Sequence, residues 1–129
     1  IRHKVEKQLE EYVRYWAWLT TAKKGSTTAR LESLIDVQMP DVEPFHYMIS
    51  LIAEIGLSGV TWSEIYHWME LTGVQLRLWE IKQIKKLSAM YHNYSQQYEG
   101  SIVPAPYRDY DVPEGMSLST RDQIRNDRR

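Results

Sequence analysis

The chain contains no cysteine, which excludes disulfides, thiolate metal sites and cysteine nucleophiles and agrees with a reducing compartment. Phenylalanine is down to one residue, and the six glycines are scattered singly, so no phosphate-cradling loop can be drawn. No apolar run approaches the roughly 20 residues of a membrane span. No secretory leader is legible in Ile1-Arg2-His3-Lys4-Val5. Isoleucine in place of an initiating methionine leads us to expect residues upstream. Neither charge sign dominates: 16 Lys+Arg stand against 17 Asp+Glu, a net charge of −1. The clear basic excess that general phosphate binding requires is therefore missing.

What is present is a 129-residue chain, enough for one domain with a core of its own. It carries five Trp and nine Tyr. Both have an apolar body and a polar tip, which suits half-buried positions and contact surfaces. Use of Trp as plain core filler explains the balance equally well.

The best-specified stretch is residues 61–91, read as two helices joined at a glycine. Thr61 and Glu64 have capping-box spacing, and Gly73 suits a left-handed residue ending the first of the pair. The second runs from near Leu78 to about Tyr98 without Gly or Pro. Ahead of the pair, Val5, Leu9, Tyr12, Val13, Trp16 and Leu19 form one apolar stripe and predict a helix over 2–24. Tyr15 and Trp18 fall off that stripe, either covering a neighbouring helix or facing a partner. Thr27 or Thr28 should cap a short helix with Leu31, Leu34 and Ile35 on one side, stopping at Gln38-Met39-Pro40. A third helix is expected from Pro44 to Gly56, apolar on nearly all faces and so placed at the centre of the core. After Tyr98 three prolines and no helical period predict an extended arm, with a short terminal helix capped by Ser119 or Thr120. The expectation is an all-α bundle of about five helices over 1–98, and an extended arm over 99–129.

Chemistry is hard to find in this pattern. There is no Gly-x-Ser-x-Gly, and His3, His46, His67 and His92 lie far apart. Glu64-x-x-His67 matches one arm of a di-iron motif, but a second copy is missing and Glu64 is committed to the cap. His46 reads as a hydrogen-bonded structural histidine. We therefore expect no catalytic residue, metal or cofactor. The glycine turn also resembles a helix-turn-helix, with Lys82, Lys85 and Lys86 as candidate phosphate contacts. Its second helix opens Arg77-Leu78-Trp79-Glu80-Ile81, poor in side chains that read base edges.

The order Val60-Thr61-Trp62-Ser63-Glu64-Ile65, Trp68, Leu71-Thr72-Gly73, Leu76, Trp79-Glu80, Leu87-Ser88 and Tyr91 resembles a family of small tailed-phage proteins. These are the tail assembly chaperones encoded beside the tape-measure protein, the T-like partner of a G/T pair. The resemblance covers roughly residues 45–91. One departure is Arg77-Leu78 where the family often has Ser-Pro, so the second helix is expected to lose its usual cap. The resemblance implies a binding protein that coats tape-measure helices and recruits tail-tube subunits in the host cytoplasm, or that stays in the virion. It implies protein partners, a homo-oligomer among them, and neither membrane nor cofactor. Tyr15, Trp18, Tyr107 and Tyr110 are the candidate anchors, while Trp62, Ile65, Trp68, Trp79 and Ile84 are assigned to the core. A DNA-binding helix-turn-helix and a structural virion subunit are the alternatives.

Overall fold

The computed structural model describes residues 2–34 and 36–106. Within them lie α1 (Arg2–Thr20), α2 (Tyr47–Ile55), α3 (Trp62–Thr72) and α4 (Leu78–Tyr98). A 3₁₀ turn at Arg30–Ser33 stands between α1 and α2, and no β-strand occurs among the described residues. The expected all-α class holds. Tyr107, Tyr110 and the terminal helix expected near Ser119 lie outside the described residues.

α1 and α4 form the frame and run parallel. Their contacts advance in step: Trp79 Nε1 donates to Glu6 Oε2 at 2.6 Å, Lys86 pairs with Glu10 at 2.6 Å, and the Trp16 and Tyr91 rings meet at 4.9 Å. Leu9, Val13, Ile84 and Leu87 are completely covered along this seam, and Met48 and Ile52 of α2 close over them. Burying each such side chain contributes about 1.5–3 kcal/mol. α2 is thus a lid rather than the centre. It is nine residues long, starts at Tyr47 instead of Pro44, and exposes Ser50, Ala53 and Glu54. The late start follows a turn in which Phe45 N–H bonds Val42 O at 2.7 Å; the Glu43–Pro44 peptide is cis.

The parallel arrangement brings two helix C-termini, each with unpaired carbonyls and partial negative charge, to one end. Arg30 occupies that end. Its guanidinium donates to Trp18 O at 3.1 Å, Thr21 Oγ1 at 2.7 Å, Tyr98 O at 2.8 Å and Ser101 O at 3.0 Å. It also lies 5.0 Å above the Trp18 ring. Burial pushes its pKa down, while Glu99 and Tyr98 oppose that shift. α1 consequently ends at Thr20, short of the expected 24, because the last carbonyls bond to Arg30 and to the hydroxyls of Thr20 and Thr21. The helix expected after Thr28 shrinks to the 3₁₀ turn for the same reason. Arg30, not a leucine stripe, points inward, and Leu31 is left 46% exposed.

Beyond α4, Gly100 takes φ +73°, a left-handed value cheap only for glycine, and its N–H bonds Ala22 O at 2.7 Å. Residues 101–103 then pass the end of α1, with Lys24 N–H on Ser101 O at 3.1 Å and Trp18 Nε1 on Val103 O at 2.8 Å.

Two interior polar atoms, Ser95 Oγ and Gln83 Nε2, lack a partner among the described residues. Gln83, on α4, is 5% exposed, and its Nε2 has no protein partner among the described residues. A buried amide without a hydrogen bond costs about 1–3 kcal/mol. Gln83→Met, close in volume and free of that cost, is expected to stabilise the fold by about 1 kcal/mol in urea unfolding. A neutral or negative change would mean that the amide is hydrogen-bonded in solution.

Candidate protein-binding surface

α3 is the helix least absorbed by the core. Its capping box is complete: Thr61 Oγ1 accepts from Glu64 N–H at 3.1 Å, and Glu64 Oε1 accepts from Thr61 N–H at 2.8 Å. At the far end Gly73 stands at φ +76° and its N–H bonds Met69 O at 2.8 Å. The helix is held at both termini by local bonds. Among its residues only Ile65 is buried. Trp68 is half-buried and braces α3 on α2 through Nε1 to Glu54 Oε2 at 3.0 Å.

The remaining aromatic side chains face outward. Trp62 is 50% exposed and Tyr66, one turn on, is 59% exposed. Residues four apart share a helix face, so the two make one aromatic ridge. Lys85 of α4 reaches it, with Nζ 5.5 Å from the Trp62 ring centroid and also donating to Val60 O at 3.4 Å. Such an ammonium over an indole limits where the ring can go. The assignment of Trp62 to the core is thereby corrected. The seam between α1 and α4 is closed by Ile65 of α3 and by Met48 and Ile52 of α2. Ile65 and Ile84 are buried as expected; Trp68 and Trp79 are half-buried.

At the end of α3 the chain turns into α4 with Leu71, Val74 and Leu78 exposed. Glu80 Oε1 accepts from Arg77 N–H at 2.7 Å, so α4 keeps half of a capping box although Arg77 has no acceptor to complete it. A cleft beside this turn, about 480 Å³, is lined by Phe45, Tyr47, Gln75, Arg77, Trp79 and Glu80. Inside it Tyr47 donates to Glu80 Oε2 at 2.5 Å. Burial, and then the Glu80 carboxylate, push the Tyr47 phenol up to about 12, so it remains a neutral donor at any physiological pH. The cleft offers neither a nucleophile–base pair nor a metal cluster among the described residues.

Of the four candidate anchors, Tyr15 and Trp18 lie among the described residues. Tyr15 is 3% exposed, with its ring 5.9 Å from that of Trp18. Trp18 is half-buried and donates from Nε1 to Val103 O at 2.8 Å. What packs on Trp18 is the chain's own non-helical return at Val103 and the Arg30 guanidinium 5.0 Å from its ring, rather than a neighbouring helix. Lys82, Lys85 and Lys86 do not make a patch. Lys86 bonds Glu10, which raises its pKa, Lys85 bends to Trp62, and Lys82 stands alone in solvent. His46 is exposed and edge-on to Tyr12 at 5.9 Å, and its ring has no hydrogen bond among the described residues.

The molecule is thus an all-α protein with an aromatic ridge on a self-capped helix. No protein-family model, curated protein or solved structure matches it. No described helix is long and apolar enough to cross a membrane.

Proposed function

We propose that this chain is a tail assembly chaperone, or a tail-associated interaction protein, of a tailed phage. In this reading it binds tape-measure and tail-tube proteins in the host cytoplasm during morphogenesis and performs no chemistry. The observation that carries it is the Trp62–Tyr66 ridge, two large polar-tipped rings half exposed on a rigid helix. Anchors of this type dominate protein interfaces because they bury much area with little loss of rotamer freedom. The residue order of 60–91 supplies the phage assignment. The nucleic-acid alternative draws less support, since two of its three lysines are engaged within the chain.

The test is co-purification with the neighbouring tape-measure or tube protein. Binding should persist as salt is raised, whereas phosphate contacts would weaken steeply. Trp62→Ala is expected to weaken that complex at least tenfold, about 1.4 kcal/mol, with the melting temperature little changed. Full-strength binding by the variant would remove the ridge from the interface. Retention of the chain in purified particles would favour a structural subunit over an assembly chaperone.

A further inference from the structure

The cleft at the start of α4 sets charged groups among aromatic rings. Its volume of about 480 Å³ falls within the roughly 300–1,000 Å³ of small-ligand sites. Phe45, Tyr47 and Trp79 form its walls, with the Phe45 ring 5.5 Å from that of Trp79 and 6.0 Å from that of Tyr47. Glu80 stands half-buried between them. Its two oxygens take hydrogen bonds from uncharged donors, the Tyr47 hydroxyl and the Arg77 backbone N–H, and it has no ion pair among the described residues. A carboxylate drawn partly out of water gains from a cation, and two hydrogen bonds leave it acceptor sites to spare. The negative faces of the rings favour the same kind of group. No described lysine or arginine stands over the Phe45 or Tyr47 ring. Arg77 also lines the cleft, and its guanidinium makes no hydrogen bond or ion pair among the described residues. Burial and Glu80 raise the Tyr47 pKa and Arg77 alone pulls against them, which sets the guanidinium charge near that hydroxyl.

We propose that this cleft binds a small betaine-type zwitterion, a quaternary ammonium joined to a carboxylate by a short link. The ammonium lies against the Phe45 and Tyr47 rings beside Glu80, and the carboxylate takes the Arg77 guanidinium. A plain cation would meet the repulsion of Arg77, and a plain anion that of Glu80. One ligand with both charges satisfies both ends of the cleft. A quaternary ammonium suits the rings better than a primary one, because a bare ammonium is strongly hydrated, whereas methyl groups release water and pack on aromatic faces. It also needs no acceptor, which fits a carboxylate already bonded twice. At the other end the planar guanidinium matches a carboxylate with two parallel N–H donors. None of the lining residues belongs to the Trp62–Tyr66 ridge. The site therefore goes beyond the binding reading above and stands independently of it.

The experiment follows the NMR shifts of the backbone amides at positions 47, 77 and 80 as probes are added at constant ionic strength. The probes are glycine betaine, choline and neohexyl alcohol, the uncharged carbon isostere of choline. Glycine betaine should give saturable shifts with half-saturation at or below about 10 mM. Choline, with nothing to offer Arg77, should bind about tenfold more weakly, and neohexyl alcohol more weakly still. Glu80→Gln keeps an acceptor for the Arg77 N–H but removes the charge, and should weaken betaine about tenfold. Arg77→Gln should bring betaine down to the level of choline. Circular dichroism checks the fold of each variant. Should Glu80→Gln fail that check, Tyr47→Leu, which removes a ring 39% exposed, tests the ammonium end with the same expected loss. The absence of a saturable shift with betaine overturns the proposal, and so does neohexyl alcohol matching choline. Betaine binding that is undiminished in either Glu80→Gln or Arg77→Gln overturns it as well.

Discussion

Arg30→Met is expected to lower the free energy of unfolding by about 3–4 kcal/mol, a large share of the 5–15 kcal/mol typical of a domain. The side chain that would be lost is 6% exposed in its residue and bonds acceptors on three separate segments. A hydrogen bond to a charged donor contributes about 1.5–3 kcal/mol, and such bonds are not additive when one group makes them all. Methionine restores part of the packing but none of the donors. It leaves Trp18 O and Tyr98 O, the negative ends of two parallel helices, facing each other without a cation. Arg30→Lys keeps the charge, yet one ammonium cannot span acceptors set apart as the planar fork spans them, so it should recover less than half of the loss. Urea unfolding with an unchanged slope checks both values. A loss below about 1 kcal/mol for Arg30→Met would show that the buried guanidinium only offsets its own desolvation.

Arg30 also marks where sequence reading stops. The Thr61–Glu64 box, the left-handed Gly73 and the limits of α4 are all legible because cause and effect lie within a few residues. Each is a local hydrogen-bond or backbone preference written in adjacent letters. Arg30 looks in the sequence like any loop arginine, since its acceptors lie up to 71 positions away. The shortened α1 and the missing second helix both follow from that one long-range contact. The exposure of Trp62 is illegible in the sequence for a related reason. Spacing puts Trp62, Ile65, Trp68, Met69 and Thr72 on one side, but it does not say how much of that side the rest of the core covers. Ile65 alone is buried there. The polar-tipped pair Trp62 and Tyr66, beside Ser63, His67 and Glu70, was the available hint of an exposed face.

The second large effect is expected at Ser88, where α4 holds the loop that aims α3. The hydroxyl is fully buried, donates to Gly56 O at 3.0 Å, and accepts from Gly59 N–H at 2.9 Å and Val60 N–H at 3.1 Å. One donor and two lone pairs are all in use. Ser88→Ala removes only an oxygen yet leaves three backbone groups unpaired, of which the Val60 amide is buried. A cost of about 2–3 kcal/mol follows from orphaned buried groups at roughly 1 kcal/mol or more each. The loop has little freedom to relax, since a Cβ at Gly56 would already stand 2.7 Å from Val60 Cγ1. The loss should therefore be local as well as global. Hydrogen exchange at the Gly59 and Val60 amides should accelerate beyond what the drop in overall stability accounts for. Ser88→Thr, which keeps the hydroxyl but adds a methyl where no space remains, should be destabilising through overpacking while those two amides stay protected. Unchanged exchange at Val60 in Ser88→Ala would mean that the loop is held by packing of Val60 and Ile65, and that the hydroxyl is incidental to how the aromatic ridge is presented.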